Sequence, residues 1–151
     1  MNMSERLIHL GLELPTPIHP LGSYRTVSIL GNQLHVSGLG PFKDGKPIVG
    51  LVGADVSVDE ARNAAKLTML MILACVDQAY GLDNVVRCAR LTVYVRAEQM
   101  FTQHPQVADG ASDIVRDLFG QENLPARSAL GVYSLPMGIP VEIDSVFEIR
   151  I

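Results

Sequence analysis

One helix is written into this chain more plainly than any other element, between Ser57 and Gly81. Ser57-Val58-Asp59-Glu60 has the capping-box form: a Ser hydroxyl serves the first free amides, and a Glu three residues on reaches back. Gly81 supplies the stop. At about 100° per residue, Ala61, Ala64, Ala65, Thr68, Met71, Ile72, Cys75, Val76 and Ala79 share one face, opposite Arg62, Asn63, Lys66 and Asp77. A buried face built of small side chains suits close packing on a sheet. Leu70 and Leu73 interrupt the polar stripe, so the helix also meets something beyond its own sheet.

Strand patterns surround it. Tyr24 to Leu30 and Leu34 to Gly38 read as two strands joined by Gly31-Asn32, residues that tolerate the positive φ of a tight hairpin. Before them, the proline-bearing stretch Leu14 to Pro20 reads as an ordered turn after a short first strand. Pro41 to Gly53, with Gly45, Pro47, Gly50 and Gly53, reads as a loop. From Val86 to Arg96, Ala89, Leu91, Val93 and Val95 alternate against Arg90, Thr92, Tyr94 and Arg96. A second helix leads through Ser112 to Phe119 and stops at Gly120, and two closing strands form a hairpin around Pro136-Met137-Gly138. The order strand-strand-helix-strand-helix-strand-strand predicts an α+β layer, one domain over residues 1–151, with two helices covering one sheet face. The other face carries Tyr94, Tyr133 and Val146 among its charges, so subunits are expected to associate through it.

Each closing strand is interrupted by a charge. Leu130 and Val132 set one side of the first, which leaves Arg127, Ala129, Gly131 and Tyr133 on the other. Val141, Ile143, Phe147 and Ile149 likewise leave Glu142, Asp144 and Glu148 opposite. This count places Arg127 and Glu142 on one face, where a planar guanidinium beside a carboxylate points to a site that grips a small anion; the alternative is a structural ion pair.

Several classes are disfavoured. A formal charge of −4, 5% aromatics, no Trp and scattered basic residues argue against nucleic acid. The longest apolar run, near Met69 to Val76, is far below the roughly 18 residues of a membrane span, and the first residues lack a signal-peptide core, so the expectation is a soluble, cytoplasmic protein. His9, His19, His35 and His104 show no metal-ligand spacing, and no metal is expected. Cys75 and Cys88 form no CxxC; Cys75 reads as core, while Cys88 counts with the polar side of its strand and should be accessible. Ser37 sits outside any Gly-x-Ser-x-Gly elbow, which argues against an acyl-enzyme.

These residues also carry a resemblance. Gly22-Ser23-Tyr24 resembles the Gly-Pro-Tyr-Ser of the RidA/YjgF family, also known as endoribonuclease L-PSP or translation-inhibitor proteins, and Leu34-His35-Val36-Ser37-Gly38 resembles its Tyr-x-Ser-Gly-Gln. Pro125-Ala126-Arg127-Ser128 and Leu135-Pro136 followed by Val141-Glu142-Ile143 complete the set in order, from about Gly22 to Ile149. The resemblance implies a chorismate-mutase-like fold with a mixed sheet, a homotrimer, clefts between subunits, and hydrolysis of reactive 2-imino or 2-enamino acids to 2-oxo acids and ammonia. No cofactor is implied. Arg127 would then grip the substrate carboxylate, Glu142 would orient or deprotonate water, Ser37, Gly38 and nearby amides would position substrate, and Tyr24 would close the pocket.

The chain departs from the pattern at Leu39, where the family has Gln, at Ser23, where it has Pro, and over Gln99 to Ser112, which is longer and lacks a Phe-Asn pair. Ser112 is the candidate for the contact expected there. The rival functions are a noncatalytic binder of small carboxylates or 2-oxo acids, an interaction protein of the stress response, and a ribonuclease; a lone Glu-Arg pair without paired catalytic histidines speaks against the last.

Overall fold

Two long helices lie side by side on one face of a five-stranded sheet whose other face has no helix over it. The computed structural model covers residues 1–151. Its elements are α1 (Met3–His9), β1 (Val27–Leu30), β2 (Gln33–Leu39), β3 (Phe42–Lys43), β4 (Lys46–Pro47), α2 (Val58–Tyr80), β5 (Val85–Arg96), α3 (His104–Phe119), β6 (Ala126–Val132) and β7 (Val141–Ile149). The sheet runs β1-β2-β7-β5-β6, with β5 and β6 parallel and every other pair antiparallel, so it is the mixed α+β layer expected.

The capping signals of α2 act as the sequence spells them. Ser57 Oγ accepts from the Glu60 amide, Glu60 Oε1 accepts from the Ser57 amide, both at 3.1 Å, and Gly81 ends the helix at φ 85°. Ala61, Ala64, Ala65, Ile72 and Val76 are buried in one cluster with Leu91, Val93, Ile143 and Phe147 from the inner face of the sheet. Leu70 and Leu73 are buried as well, because α3 lies alongside. There Arg62 pairs with Asp113 at 2.8 Å, and Gly110 occupies a place where a Cβ would overlap the Arg62 carbonyl oxygen.

Three expectations are corrected. The N-terminal segment holds a helix in place of a first strand: Asn2 Oδ1 accepts from the Glu5 amide and Glu5 Oε2 from the Asn2 amide, and buried Leu7 anchors the turn. The stretch read as a plain loop contains the β3–β4 hairpin, turned by Asp44 and Gly45 at φ 52° and 76°. The closing strands are not a hairpin: α3 carries the chain across the sheet from β5, so β6 pairs parallel to β5 at the edge and β7 returns on its other side. Arg96, at the end of β5, holds that crossing. Its amide donates to Pro140 O at 2.9 Å and its Nη1 to Gly50 O at 3.1 Å.

Because Gly110 permits the approach of α3 to α2, Gly110→Ala is expected to destabilise the fold by about 1–3 kcal/mol through overpacking. Chemical denaturation should show a lower midpoint at unchanged slope; an unchanged midpoint would mean that the helices separate freely.

Candidate functional site

The candidate residues divide into two groups. In the first, the β2–β7 register shifts between Val36 and Leu39, so Ser37 and Gly38 together oppose Asp144 as a bulge. Bulges re-aim side chains, and this one brings Gly38 against Glu142: a Cβ on Gly38 would lie 2.7 Å from Glu142 Oε2. Glycine leaves the room the carboxylate occupies. Ser37 is fixed by its Oγ, which donates to Arg25 O at 2.7 Å, and by its amide, which donates to Thr26 O at 2.9 Å. Tyr24 stands just ahead of β1, 47% exposed, its hydroxyl accepting from the Leu21 amide at 3.3 Å.

Glu142 shares the uncovered face with Asp144, Tyr94 and the Arg87–Glu148 ion pair, which closes at 2.7 Å. Tyr94 Oη donates to Asp144 Oδ2 at 2.8 Å, and that bond, reinforced by burial, raises the Tyr94 pKa. Glu142 has no hydrogen-bonding partner of its own; burial, and secondarily the charge of Asp144, push its carboxyl above the ordinary range.

The second group lies at the far edge. Arg127 pairs in register with Leu91, which is buried beneath the helices, so its side chain lies on the helical face. Nη1 donates to Asp109 Oδ1 at 2.7 Å and to Ser112 Oγ at 3.1 Å, both from α3. The expectation that Arg127 and Glu142 share a face is therefore corrected. Residues alternate along β6 as expected, but on this edge strand the apolar side, Leu130 and Val132, faces outward and the charged side faces α3. Two strand spacings across and three residues along separate the Arg127 and Glu142 Cα atoms, roughly 14 Å. One chain joins Arg127 to Ser112 and sets Gly38, next to Ser37, against Glu142; Tyr24 stands apart beside the end of α2, and the two groups are not joined.

Cys88 is also corrected. A register shift between Cys88 and Arg90 inserts Ala89 as an extra residue, which turns Cys88 inward against Phe147; it is fully buried, and burial pushes its thiol up to about 12. Two features escaped sequence reasoning. Asp109 is one, although its spacing of three from Ser112 on a helix was a usable signal. The other is a cleft of about 900 Å³ lined by Arg96, Glu98, Phe101, His104, Tyr133 and Ser134, none of them a candidate site residue. No helix is long and apolar enough to cross a membrane.

Fold and sequence together define the class. The chain belongs to the family described as "YjgF/chorismate_mutase-like, putative endoribonuclease", whose pattern matches residues 4–140. It is 38% identical to Protein TCP17 of Trypanosoma cruzi over 98% of this chain and 94% of that one. Among solved structures it is 37% identical to Atu1372 of Agrobacterium tumefaciens, covering 98% and 92% of the two chains with a TM-score of 0.90. A "putative endoribonuclease" of Shewanella oneidensis is 32% identical, with 99% and 100% covered and a TM-score of 0.94. At 23% identity, Escherichia coli TdcF, solved with bound serine, shares the fold at a TM-score of 0.63, covering 90% and 94%.

The raised Glu142 pKa fixes a pH dependence. Below its unfolded-state pKa both states hold the proton and Glu142 is neutral to stability; as pH rises through the higher folded pKa, ionisation in a poor environment costs stability. Glu142→Gln is expected to raise Tm near about pH 7 and to leave it unchanged below about pH 4. A lower Tm at neutral pH would show that the carboxylate has a stabilising partner.

Proposed function

We propose that this chain is a hydrolytic deaminase of reactive 2-imino and 2-enamino acids, acting in the cytoplasm as a homotrimer whose clefts are shared between neighbouring copies. The observation that carries the reading is the division of the candidate residues between two ends of one sheet. Arg127 and Ser112 sit at the β6 edge; Tyr24, Ser37, Gly38 and Glu142 lie on β7, β2 and ahead of β1, toward the opposite edge. A surface whose two ends complement each other closes head to tail into a ring. In such a ring the β6 edge of one copy meets the Gly38–Glu142 bulge of the next, and one cleft gains both halves. The uncovered sheet face, with Leu130 and Tyr94 among its polar groups, supplies contact area.

In that cleft the chemistry needs no cofactor, because a protonated imine carbon is already electrophilic. Arg127 Nε and Nη2, which have no partner within the chain, would take the substrate carboxylate, a charge-assisted contact worth about 1.5–3 kcal/mol. Ser112 holds the guanidinium in place. Glu142, its pKa raised by burial, would take a proton from water as the oxygen adds to the imine carbon and forms a carbinolamine. Returning that proton to nitrogen, while the hydroxyl gives up its own to the freed Glu142 carboxylate, lets the C–N bond break, releasing ammonia and leaving a 2-oxo acid. Ser37 and the Gly38 backbone would position the substrate, with Tyr24 closing the pocket. The serine held by TdcF is a ligand of the size and charge this cleft would take.

A coupled assay, in which a dehydratase generates imines from amino acids and ammonia release is followed with and without this protein, tests the reading. Arg127→Lys keeps the charge and loses the fork, so activity should fall at least about tenfold with assembly unchanged. Glu142→Gln should abolish the accelerated release while 2-oxo acid binding persists. Binding without turnover in the unmutated protein would instead identify a noncatalytic receptor for small carboxylates.

A further inference from the structure

Arg127 does not wait alone for an anion. Its Nη1 is held at 2.7 Å by Asp109 Oδ1, and both side chains are partly exposed, 24% for Arg127 and 43% for Asp109. Asp109 uses one oxygen in this contact; Oδ2 makes no hydrogen bond, just as Nε and Nη2 of Arg127 make none. The pair, partly exposed on the helical face of β6, therefore leaves an anionic and a cationic edge without a partner.

Resting on the carboxylate-clamp reading of Arg127, we propose that Arg127 and Asp109 form one recognition unit for a zwitterion, with Asp109 as the residue that selects the protonated imine or amine over the 2-oxo acid. The ligand's carboxylate takes the free edge of the guanidinium. Its cationic nitrogen, borne on the carbon bonded to that carboxylate, donates to Asp109 Oδ2. An arginine by itself cannot tell substrate from product, since both carry the carboxylate. With Asp109 beside it the site is already neutralised, and a second bare anion meets a like charge. A 2-iminio acid brings its own positive charge and satisfies both halves. Once hydrolysis removes the nitrogen, the remaining 2-oxo acid faces Asp109 without compensation, which favours its release. Asp109 touches the ligand in this scheme and does more than brace Arg127.

Calorimetric titration of the full-length protein with L-serine, a stable zwitterion, and with pyruvate, a 2-oxo acid, tests the proposal without any need for turnover. The unmutated protein should bind serine more tightly than pyruvate; tighter or equal binding of pyruvate overturns the proposal with no variant required. Asp109→Asn should weaken serine at least about tenfold while leaving pyruvate unchanged or tighter. If Asp109→Asn weakens both ligands in the same proportion, Asp109 is only a brace and the proposal fails. Ser112→Ala, which removes the neutral brace, should weaken both alike and leave their ratio intact; a changed ratio there would contradict the assignment of selectivity to Asp109. Arg127→Gln should abolish both. Undiminished binding in that variant would instead overturn the clamp reading itself, an outcome distinct from a failure at Asp109 alone.

Discussion

Two helices can cover one face of a five-stranded sheet and no more, and that limit governs the rest of this molecule. The small-residue face of α2 beds onto β7 and β2, α3 closes beside it through Gly110 and covers β5 and β6, and the inner face of the sheet disappears into a continuous apolar core. What is left is an outer face bearing Glu142, Asp144 and Tyr94, and an edge strand whose charged side turns under α3. Glu142 lies on the first of those surfaces and Arg127 on the second, with Ser112 reaching Arg127 from α3 and Tyr24 standing ahead of β1. A burial constraint, rather than a catalytic one, thus decides where chemistry can be placed.

The parts of this arrangement that depend on local rules could be read from the sequence. The capping box at Ser57, the stop at Gly81 and the packed face of α2 need only a few neighbouring residues to specify them, and they appear as spelled. The same rule at Asn2 and Glu5 marks α1, where the capping box was present to be read. Long-range pairing was not legible. Pro136-Met137-Gly138 turns the chain, and a turn between two strands reads as a hairpin unless one knows that β5 already lies between them. Bulges hide equally well: one extra residue at Ala89 reverses the parity of Cys88, and no residue type there announces it. Arg127 shows the subtlest limit. Its side of β6 was counted correctly, but an edge strand half exposed on both faces does not reveal which side is inner.

The two halves of the candidate site also differ in how they are tuned. Glu142 stands isolated: Gly38 gives it room, the bulge brings it close, and with no hydrogen-bonding partner burial and Asp144 raise its pKa. Arg127 is kept in place by engagement, with Asp109 and Ser112 consuming one of its nitrogens and leaving the others for a ligand. A base benefits from a raised proton affinity and a clamp from fixed geometry, so the separation in the fold is the one the proposed roles of the two residues require. The cleft of about 900 Å³ beside His104 and Tyr133 belongs to neither half.

The most direct measurement is ammonia release by mixed oligomers of two inactive variants, Arg127→Ala and Glu142→Gln, refolded together at equal concentration. If each cleft takes its guanidinium from one copy and its carboxylate from the next, random mixing restores an intact cleft in about a quarter of the positions, and activity should return to about that fraction of the unmutated level. Activity that stays at the level of the separate variants, in oligomers shown to contain both chains, would place the two groups in one subunit and contradict the shared cleft.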